Sequence, residues 1–366
     1  MEDKHQEGEK TLRVISRRSF MRGVALGGLG LAASQILAAC GASTAASSGA
    51  GGGGGALPSH PKWRFVFVNH VTTNPFFVPT QYGIEDACNL LGLSYEWTGS
   101  ANSQVTDMVN AIETAVAGKA DGIATSIIDP AAFNKPIADA LAAGIPVVAY
   151  NADAPAASKN RRMAYIGQDL FTSGHMMGER ILQMVPKGSH VGLFIATPGT
   201  LNIQPRIDGA VAAIKEAGNP VTYDVVATGA LVEQELSRID SYYLGHKDVK
   251  GLFAVDAGST QGVAQTMQKY NLPSQGVHGG GFDLLPVTLQ MIQQGFLDFT
   301  IDQQPYLQGF YPVLQLFLYK LSGSLMFPSD TDTGLKFITK DTVGTYLTTQ
   351  SRFEGSSKEE KNLASA

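Results

Sequence analysis

Short apolar runs rich in β-branched residues alternate with longer helical stretches along the first half of the folded chain. Each run suits a buried strand, and glycines such as Gly118 and Gly144 follow two of the helical stretches as C-caps. The alternation predicts a parallel sheet covered by helices on both faces. The predicted strands are 64–68, 94–97, 122–125 and 146–150, and the predicted helices are 77–91, 103–117 and 131–143.

The same alternation starts again after a predicted helix at 170–184. A folded part of about 300 residues is too long for one core and suits two domains. We therefore predict an α/β fold of two doubly wound, parallel-sheet lobes, with a ligand crevice at the carboxyl ends of both sheets. The second set comprises strands 190–195, 221–226, 251–255, 277–281 and 296–301 and helices 203–217, 232–244, 259–270 and 286–294.

The amino-terminal segment is typical of an export signal. Arg17-Arg18 precedes a modest apolar run, as in twin-arginine signals, and Leu37-Ala38-Ala39-Cys40 resembles the lipobox that is cleaved before a lipid-modified cysteine. A transmembrane anchor is the alternative, but the apolar run has seventeen residues, four of them glycine, which is short for a span. We predict a signal peptide at 1–39 and, at 40–60, a lipidated Cys40 with a Gly/Ser-rich tether on the extracytoplasmic face of the membrane, in a periplasm or at the cell surface.

The charge of the chain restricts its possible binding partners, and its cysteine content restricts its possible disulfides. Removal of residues 1–39 leaves 21 basic against 28 acidic residues, and an acidic protein is a poor match for nucleic acid. Cys88 then has no partner for an intramolecular disulfide, because Cys40 carries the lipid. Its apolar helical context favours a small buried residue over a reactive thiol.

No catalytic or metal-binding motif stands out. The cluster Gly279-Gly280-Gly281 is not followed by the Lys and Ser/Thr of a phosphate-binding loop, and neither Gly-x-Ser-x-Gly nor His-Glu-x-x-His occurs. The seven histidines lack the spacing of a metal site. We predict a binding protein and not an enzyme, with no metal and no cofactor.

The first predicted strand leads into His70 and then into Asn74-Pro75-Phe76-Phe77. Asn74 and Pro75 also suit a helix N-cap and the first helical position, and the two roles are compatible. An aromatic ring beside an amide suits a sugar, because its apolar C–H face packs on the ring while its hydroxyls meet hydrogen-bonding groups. This segment is therefore a candidate ligand contact.

Other predicted strands also end in carboxylates or amides. Asn151 and Asp153 follow the fourth strand, and Asp256, Asp283 and Gln303 follow strands of the second half. A carboxylate can accept hydrogen bonds from two vicinal hydroxyls, whereas a single aspartate in such a place is also a common helix cap. Their convergence on one crevice favours ligand binding.

Together these segments resemble the ribose-binding-protein-like family of sugar-binding proteins, which are the periplasmic solute receptors of ABC importers. The resemblance runs from about residue 63 to residue 337. It rests on Asn74–Phe77, Ala143–Val148, Arg206-x-x-Gly209, Gly281–Asp283 and Thr300–Pro305.

The resemblance implies a site built from both lobes. Where ribose receptors have an Asp-Arg pair after the fourth strand, this chain has Asn151-Ala152 with Asp153 one step further, and Gln204 replaces an arginine. The predicted ligand is therefore a neutral sugar or polyol and not specifically ribose. Arg206 is predicted to support its helix and loop instead of contacting ligand. The predicted ligand-binding residues are His70, Asn74, Phe76, Phe77, Asn151, Asp153, Gln204, Asp256, Asp283 and Gln303.

The resemblance also implies a mechanism. Residues 61–166 plus 304–334 and residues 167–303 plus 335–350 would form two lobes that close about a three-strand hinge, with 351–366 as a polar tail. The closed monomer, anchored through Cys40, would deliver its ligand to the membrane subunits of an ABC permease. Two alternatives stay open: a co-receptor for a sensor kinase or chemoreceptor, and an extracellular enzyme on the same scaffold.

Overall fold

A computed structural model describes residues 58–324, 328–348 and 352–353. The predicted signal peptide, the lipidation site at Cys40, most of the tether and most of the polar tail lie outside these ranges. The described residues, from Pro58 onward, form one compact unit. Within the described ranges, no helix has the length and apolar character needed to cross a membrane.

Strands and helices alternate as predicted, with boundaries that differ by a few residues. The strands are β1 (Arg64–Asn69), β2 (Ser94–Gly99), β3 (Gly122–Thr125), β4 (Val147–Tyr150), β5 (Tyr165–Gly167), β6 (His190–Ile195), β7 (Thr222–Ala227), β8 (Gly251–Ala254), β9 (His278–Phe282), β10 (Phe299–Asp302), β11 (Asp330–Asp332) and β12 (Lys336–Thr339). The helices are α1 (Val78–Leu91), α2 (Val105–Ala117), α3 (Asn134–Ala142), α4 (Leu170–Met184), α5 (Gln204–Glu216), α6 (Val232–Gly245), α7 (Ala257–Lys269), α8 (Pro286–Gln294), α9 (Pro305–Ser322) and α10 (Val343–Thr348).

The first sheet has the strand order β11-β5-β4-β3-β1-β2, with all neighbours parallel. Its alternating side chains bury both faces. Phe65 and Phe67 of β1 pack with α1 and α9, whereas Val66 and Val68 pack with α2 and α3. We call this sheet with these four helices lobe I.

The second sheet has the order β12-β10-β9-β8-β6-β7 and is parallel except for β12, which runs antiparallel to β10. The antiparallel edge follows from the short link between β11 and β12, which crosses from one sheet to the other without a helix to reverse the direction. Helices α4 and α5 cover one face, and α6, α7, α8 and α10 cover the other. We call this half lobe II.

The chain crosses between the lobes after β5, after β10 and after β11. β5, β11 and α9 are not among the predicted elements. The two strands have only three residues each, too few for a periodic pattern, and the eighteen residues of α9 carry apolar side chains on most sides.

A close helix contact positions part of the cleft. At Gly209 of α5, an added Cβ would overlap the carbonyl oxygen of Phe171, so only glycine lets α5 lie directly against α4. Gly174 of α4 makes the reciprocal approach to the backbone of Arg206. This close packing of α5 on α4 at the Arg206-x-x-Gly209 motif fixes the position of the Arg206 backbone, from which its side chain extends.

Candidate ligand-binding site

A cavity opens between the carboxyl ends of the two sheets. Its empty space is about 500 Å³ when the open solvent at its mouth is included, so it holds at most a small molecule. Segments after β1 and β4 line it from lobe I, whereas α5, α6 and the segments after β6, β8 and β9 line it from lobe II. Eight of the ten predicted site residues line this cavity: His70, Asn74, Phe76, Phe77, Asn151, Asp256, Asp283 and Gln303.

Two aromatic rings form the apolar wall. The side chain of Asn74 caps the short 3-10 turn Pro75–Phe77 by accepting a hydrogen bond from the Phe76 N–H at 2.9 Å. The rings of Phe76 and Phe77 meet edge to face, with centroids 4.7 Å apart, and cluster with Ala257 of lobe II. Asn74 therefore acts as a cap and as a cavity residue, and the cap holds both rings at the lobe boundary.

His70 links the two lobes directly. Its Nδ1 lies 3.0 Å from Ser126 Oγ, and its Nε2 lies 3.1 Å from Nδ2 of Asn202 in lobe II. Because an amide nitrogen only donates, Nε2 accepts and Nδ1 carries the hydrogen. Burial lowers the pKa of His70 to about 3, so the ring is neutral. A backbone bond from Leu201 to Ile128 (2.9 Å) also joins the lobes, which are closed on each other here.

A chain of amides crosses the hinge. Asn151 Nδ2 donates to Gln308 Oε1 (3.1 Å), Gln308 Nε2 donates to Gln303 Oε1 (3.1 Å), and Gln303 Nε2 donates to Asp283 Oδ1 (2.7 Å). Asn151 and Asp283 both have a left-handed backbone, with φ of 64° and 77°, which costs on the order of 1 kcal/mol each. This series of hydrogen bonds fixes the amide of Asn151 in lobe I relative to the carboxyl group of Asp283 in lobe II.

Arg206 stands at the floor of the cavity and is 2% exposed. Its Nη1 donates to the carbonyl of Val255 (2.8 Å), its Nη2 donates to Gln168 Oε1 (2.9 Å), and its guanidinium lies 4.0 Å from the centroid of the Phe282 ring. Gln168 in turn donates to the carbonyl of Gly334 in the third crossing (3.1 Å). These contacts fit a supporting role, but Arg206 also lines the cavity, which the sequence analysis did not anticipate.

The carboxyl groups of the cavity have raised pKa values. Burial raises the pKa of Asp283 to about 7 although Arg206 opposes the change, and burial also raises the pKa of Asp256. Burial and the nearby charge of Asp256 raise the pKa of Glu235 to about 10. The cavity therefore carries less negative charge at neutral pH than its three carboxyl groups imply, which suits a neutral ligand.

Three polar atoms at the cavity have no hydrogen-bond partner: Asn202 Oδ1, Arg206 Nε and Glu235 Oε2. Eight buried side-chain atoms of the described residues are in this condition, and these three belong to residues that line the same cavity. Buried polar groups are almost always hydrogen-bonded, so three unpartnered atoms at one cavity are unusual. The amide oxygen of Asn202 accepts, the Nε of Arg206 donates, and the carboxyl group of Glu235 can do either, so the set suits hydroxyl groups, which both donate and accept.

Two predicted residues do not belong to the cavity. Arg162 donates from Nε to Asp153 Oδ1 (2.8 Å) and forms an ion pair with it, so Asp153 faces a separate surface groove. The side chain of Gln204 accepts from the Gly199 N–H and donates to Asp208, both at 2.8 Å. Nearby partners, which a pattern of strand ends does not reveal, turn both side chains away from the ligand space.

Five polar cavity residues were absent from the predicted set: Ser103, Thr197, Asn202, Arg206 and Glu235. Glu235 had a detectable signal, because it lies four residues before Ile239 and seven before Tyr242 on the buried stripe of α6. A carboxyl on an apolar stripe is unusual unless it has a function. Ser103 and Asn202 lie in loops and carried no such signal.

The described residues contain neither a metal-binding cluster nor a reactive thiol. No cluster of three or more His, Cys, Asp or Glu side chains there is arranged to hold a metal ion. Cys88 is buried, as predicted, and burial raises the pKa of its thiol to about 12. A protonated, buried thiol is a poor nucleophile.

Comparison with known proteins identifies the family. A model of the periplasmic binding protein domain matches residues 65–322. The xylose/arabinose-binding protein XylF of Sulfolobus acidocaldarius is 56% identical over 312 residues, which cover 82% of this chain and 77% of that protein. The chain therefore belongs to the periplasmic binding protein family, and the resemblance to the ribose-binding-protein-like sugar receptors of ABC importers is confirmed. This is a family of binding proteins and not of enzymes.

Solved structures agree with the fold. An ABC transporter solute-binding protein from Burkholderia graminis, solved in complex with D-arabinose, superimposes with a TM-score of 0.72 at 25% identity and covers 79% of this chain and 99% of its own. GanP, a glucose-galactose binding protein from Geobacillus stearothermophilus, gives a TM-score of 0.68 at 24% identity and covers 77% of this chain and 99% of its own. The prediction of two α/β lobes with a cleft between them is confirmed.

Proposed function

We propose that this protein is an extracytoplasmic receptor for a neutral pentose, such as xylose or arabinose, and that it delivers the sugar to an ABC importer. The observation that carries the proposal is that one cavity is lined both by Asn202, Arg206 and Glu235, each with an unpartnered polar atom, and by the rings of Phe76 and Phe77. A sugar has an apolar face for the rings and hydroxyls for the polar atoms. The 56% identity to a xylose/arabinose-binding protein supports a pentose.

Binding and closure are coupled in this proposal. Ligand groups contact lobe I and lobe II together only in the closed form, so a sugar shifts the population towards closure. Bonds such as His70 to Asn202 help to hold the closed form that a permease recognises. Several net hydrogen bonds of about 1 kcal/mol each, plus ring packing, give an affinity of about micromolar after the ordering costs.

The proposed location follows from the amino-terminal sequence. Export through a twin-arginine signal, cleavage before Cys40 and lipidation of that residue would leave a monomeric receptor on a tether of about twenty residues beside its permease. Mass spectrometry of the membrane-bound protein tests this step. An acylated Cys40 supports it, and a Cys40→Ser variant that stays equally membrane-bound would contradict it.

Isothermal titration calorimetry of the compact unit from Pro58 onward tests the ligand. The ligands are D-xylose, L-arabinose, D-arabinose, ribose, glucose and the anionic sugar acid xylonate. We expect the tightest binding for a neutral pentose, weaker binding for glucose and the weakest for xylonate. A folded protein that binds none of the pentoses, or one that prefers the anion, would overturn the proposal.

A further inference from the structure

Glu235 is the most unusual group of the cavity. It belongs to α6, the residue lines the cavity and is 1% exposed, and its Oε2 is buried without a hydrogen-bond partner. A buried carboxyl group without a partner is costly, and its replacement by an apolar side chain of similar size would remove that cost. Its presence therefore needs an explanation beyond packing.

The fold makes space for this carboxyl group. Gly258, in the first turn of α7, faces it so closely that an added Cβ would overlap Glu235 Oε2. Gly258 has no positive φ, so the backbone alone does not require glycine there. The missing side chain instead leaves room for the carboxyl group beside the cavity.

The charges around Glu235 favour its neutral form. The titratable and charged groups that line the same cavity are Asp256, Asp283, Arg206 and the neutral His70. Arg206 is already engaged by Val255 and Gln168, and Asp256 opposes ionisation of Glu235. With a pKa of about 10, the carboxyl group has one O–H to donate and one oxygen to accept with.

We infer that Glu235 is a ligand-binding residue whose protonated carboxyl group donates a hydrogen bond from lobe II to an oxygen of the bound sugar. This inference rests on the proposed function and adds a residue to its site. The oxygen is a hydroxyl or the ring oxygen, both of which accept. A carboxyl group that donates one hydrogen bond to the ligand and accepts another from a second hydroxyl contacts two neighbouring positions of the sugar, and so contributes to specificity at both.

Two substitutions at Glu235 and one at Gly258 test the inference by calorimetry with the pentose that binds the wild type. Glu235→Leu removes the donor and should weaken binding at least tenfold. Glu235→Gln retains a donor and an acceptor and should recover most of that loss. Gly258→Ala should weaken binding because its methyl group displaces the carboxyl group. The control is Glu233→Gln, an exposed glutamate of the same helix, which should bind like the wild type.

Infrared difference spectroscopy separates a ligand contact from a structural role. At about pH 9, Asp283 is ionised and Glu235 is not, and the protonated-carboxyl C=O band that the wild type shows and Glu235→Gln lacks is the band of Glu235. Pentose addition should shift this band. A wild type that binds no pentose refutes the proposed function. Binding with an unmoved band, or a Glu235→Leu variant as tight as the wild type, refutes only the role of Glu235.

Discussion

Lobe I and lobe II have similar sheets but present different chemistry to the cavity. Lobe I supplies two aromatic rings, two amides and one ionisable group, His70, which is neutral. Among the described lining residues, lobe II supplies every other ionisable group: Arg206, Glu235, Asp256 and Asp283. All three unpartnered polar atoms of the cavity also belong to lobe II.

In the proposed function the two lobes therefore have separate tasks. Lobe II would supply the strong, directional hydrogen bonds that distinguish one hydroxyl pattern from another. Lobe I would cover the apolar face of the sugar, and its polar contacts are largely satisfied within the protein. Substitutions in lobe II should therefore change affinity more than substitutions in lobe I.

The variant Arg206→Met should show the largest loss of pentose affinity. Removal of the guanidinium leaves Asp283 and Asp256 buried without their cation, which costs about 3 kcal/mol of unfolding free energy. We expect pentose affinity to fall by about a hundredfold as well. Denaturant unfolding and calorimetry measure the two losses. Arg180→Met is the control, because Arg180 packs on Phe337 in lobe II and does not line the cavity. Equal losses of affinity in the two variants would contradict a specific role of Arg206 in pentose binding.

Asp283→Asn should have the next largest effect. Its carboxylate accepts hydroxyls more strongly than an amide, so affinity should fall by about 30-fold at pH 8, or about 2 kcal/mol. Because the pKa of Asp283 is about 7, wild-type affinity should rise between pH 6 and pH 8, and the variant should lack this rise.

Asp153→Asn in lobe I is the matched control for Asp283→Asn. Both aspartates follow a strand, but Asp153 pairs with Arg162 outside the cavity, so its variant should retain wild-type affinity. Calorimetry of both variants at pH 6 and pH 8 measures the two affinities. A loss of affinity in Asp153→Asn would mean that the original prediction from the strand ends was correct.

Glu235→Gln should stabilise the protein without ligand. The folded state holds this proton up to a pH of about 10, whereas the unfolded chain releases it near the ordinary pKa of 4.5. The folded state therefore binds more protons in that window, and stability falls as pH rises, by up to about 1.4 kcal/mol per pH unit. We expect the Tm advantage of Glu235→Gln to grow from pH 5 to pH 8. An advantage that does not change with pH would show that Glu235 is already ionised.

His70 should show the opposite pH dependence. Its pKa falls to about 3 in the folded state, so the unfolded chain binds the proton first as pH drops below about 6.5. The stability that its burial contributes is present above that value and is lost towards pH 3, by about 2 kcal/mol at pH 5. His70→Asn should lose less Tm between pH 7 and pH 5 than the wild type. An equal loss in thermal melts would contradict the neutral, buried ring.

Sequence patterns predicted the parts of this molecule that depend on local periodicity. The alternation of apolar runs and helices gave both sheets, and the rule that parallel strands end at one edge brought eight residues to one cavity. The rule failed for Asp153, because Arg162 is close enough to bind it. The place of Arg206 in the cavity depends on how α5 packs, which local sequence does not determine. Glu235 was detectable only as a carboxyl group on the apolar stripe of α6, and its place in the cavity likewise depends on how α6 packs.

The smallest effect should come from Phe76→Leu in lobe I. Leucine keeps the apolar contact with Ala257 but loses the flat ring face. Contacts of aromatic rings contribute about 0.5–1.5 kcal/mol, so affinity should fall about two- to twelvefold. Phe171→Leu, an exposed aromatic of lobe II outside the cavity, should bind like the wild type. Calorimetry with the same pentose ranks both against Asp283→Asn. A larger loss for Phe76→Leu than for Asp283→Asn would reverse the division of tasks, because the apolar wall would then contribute more to recognition than the charged lobe.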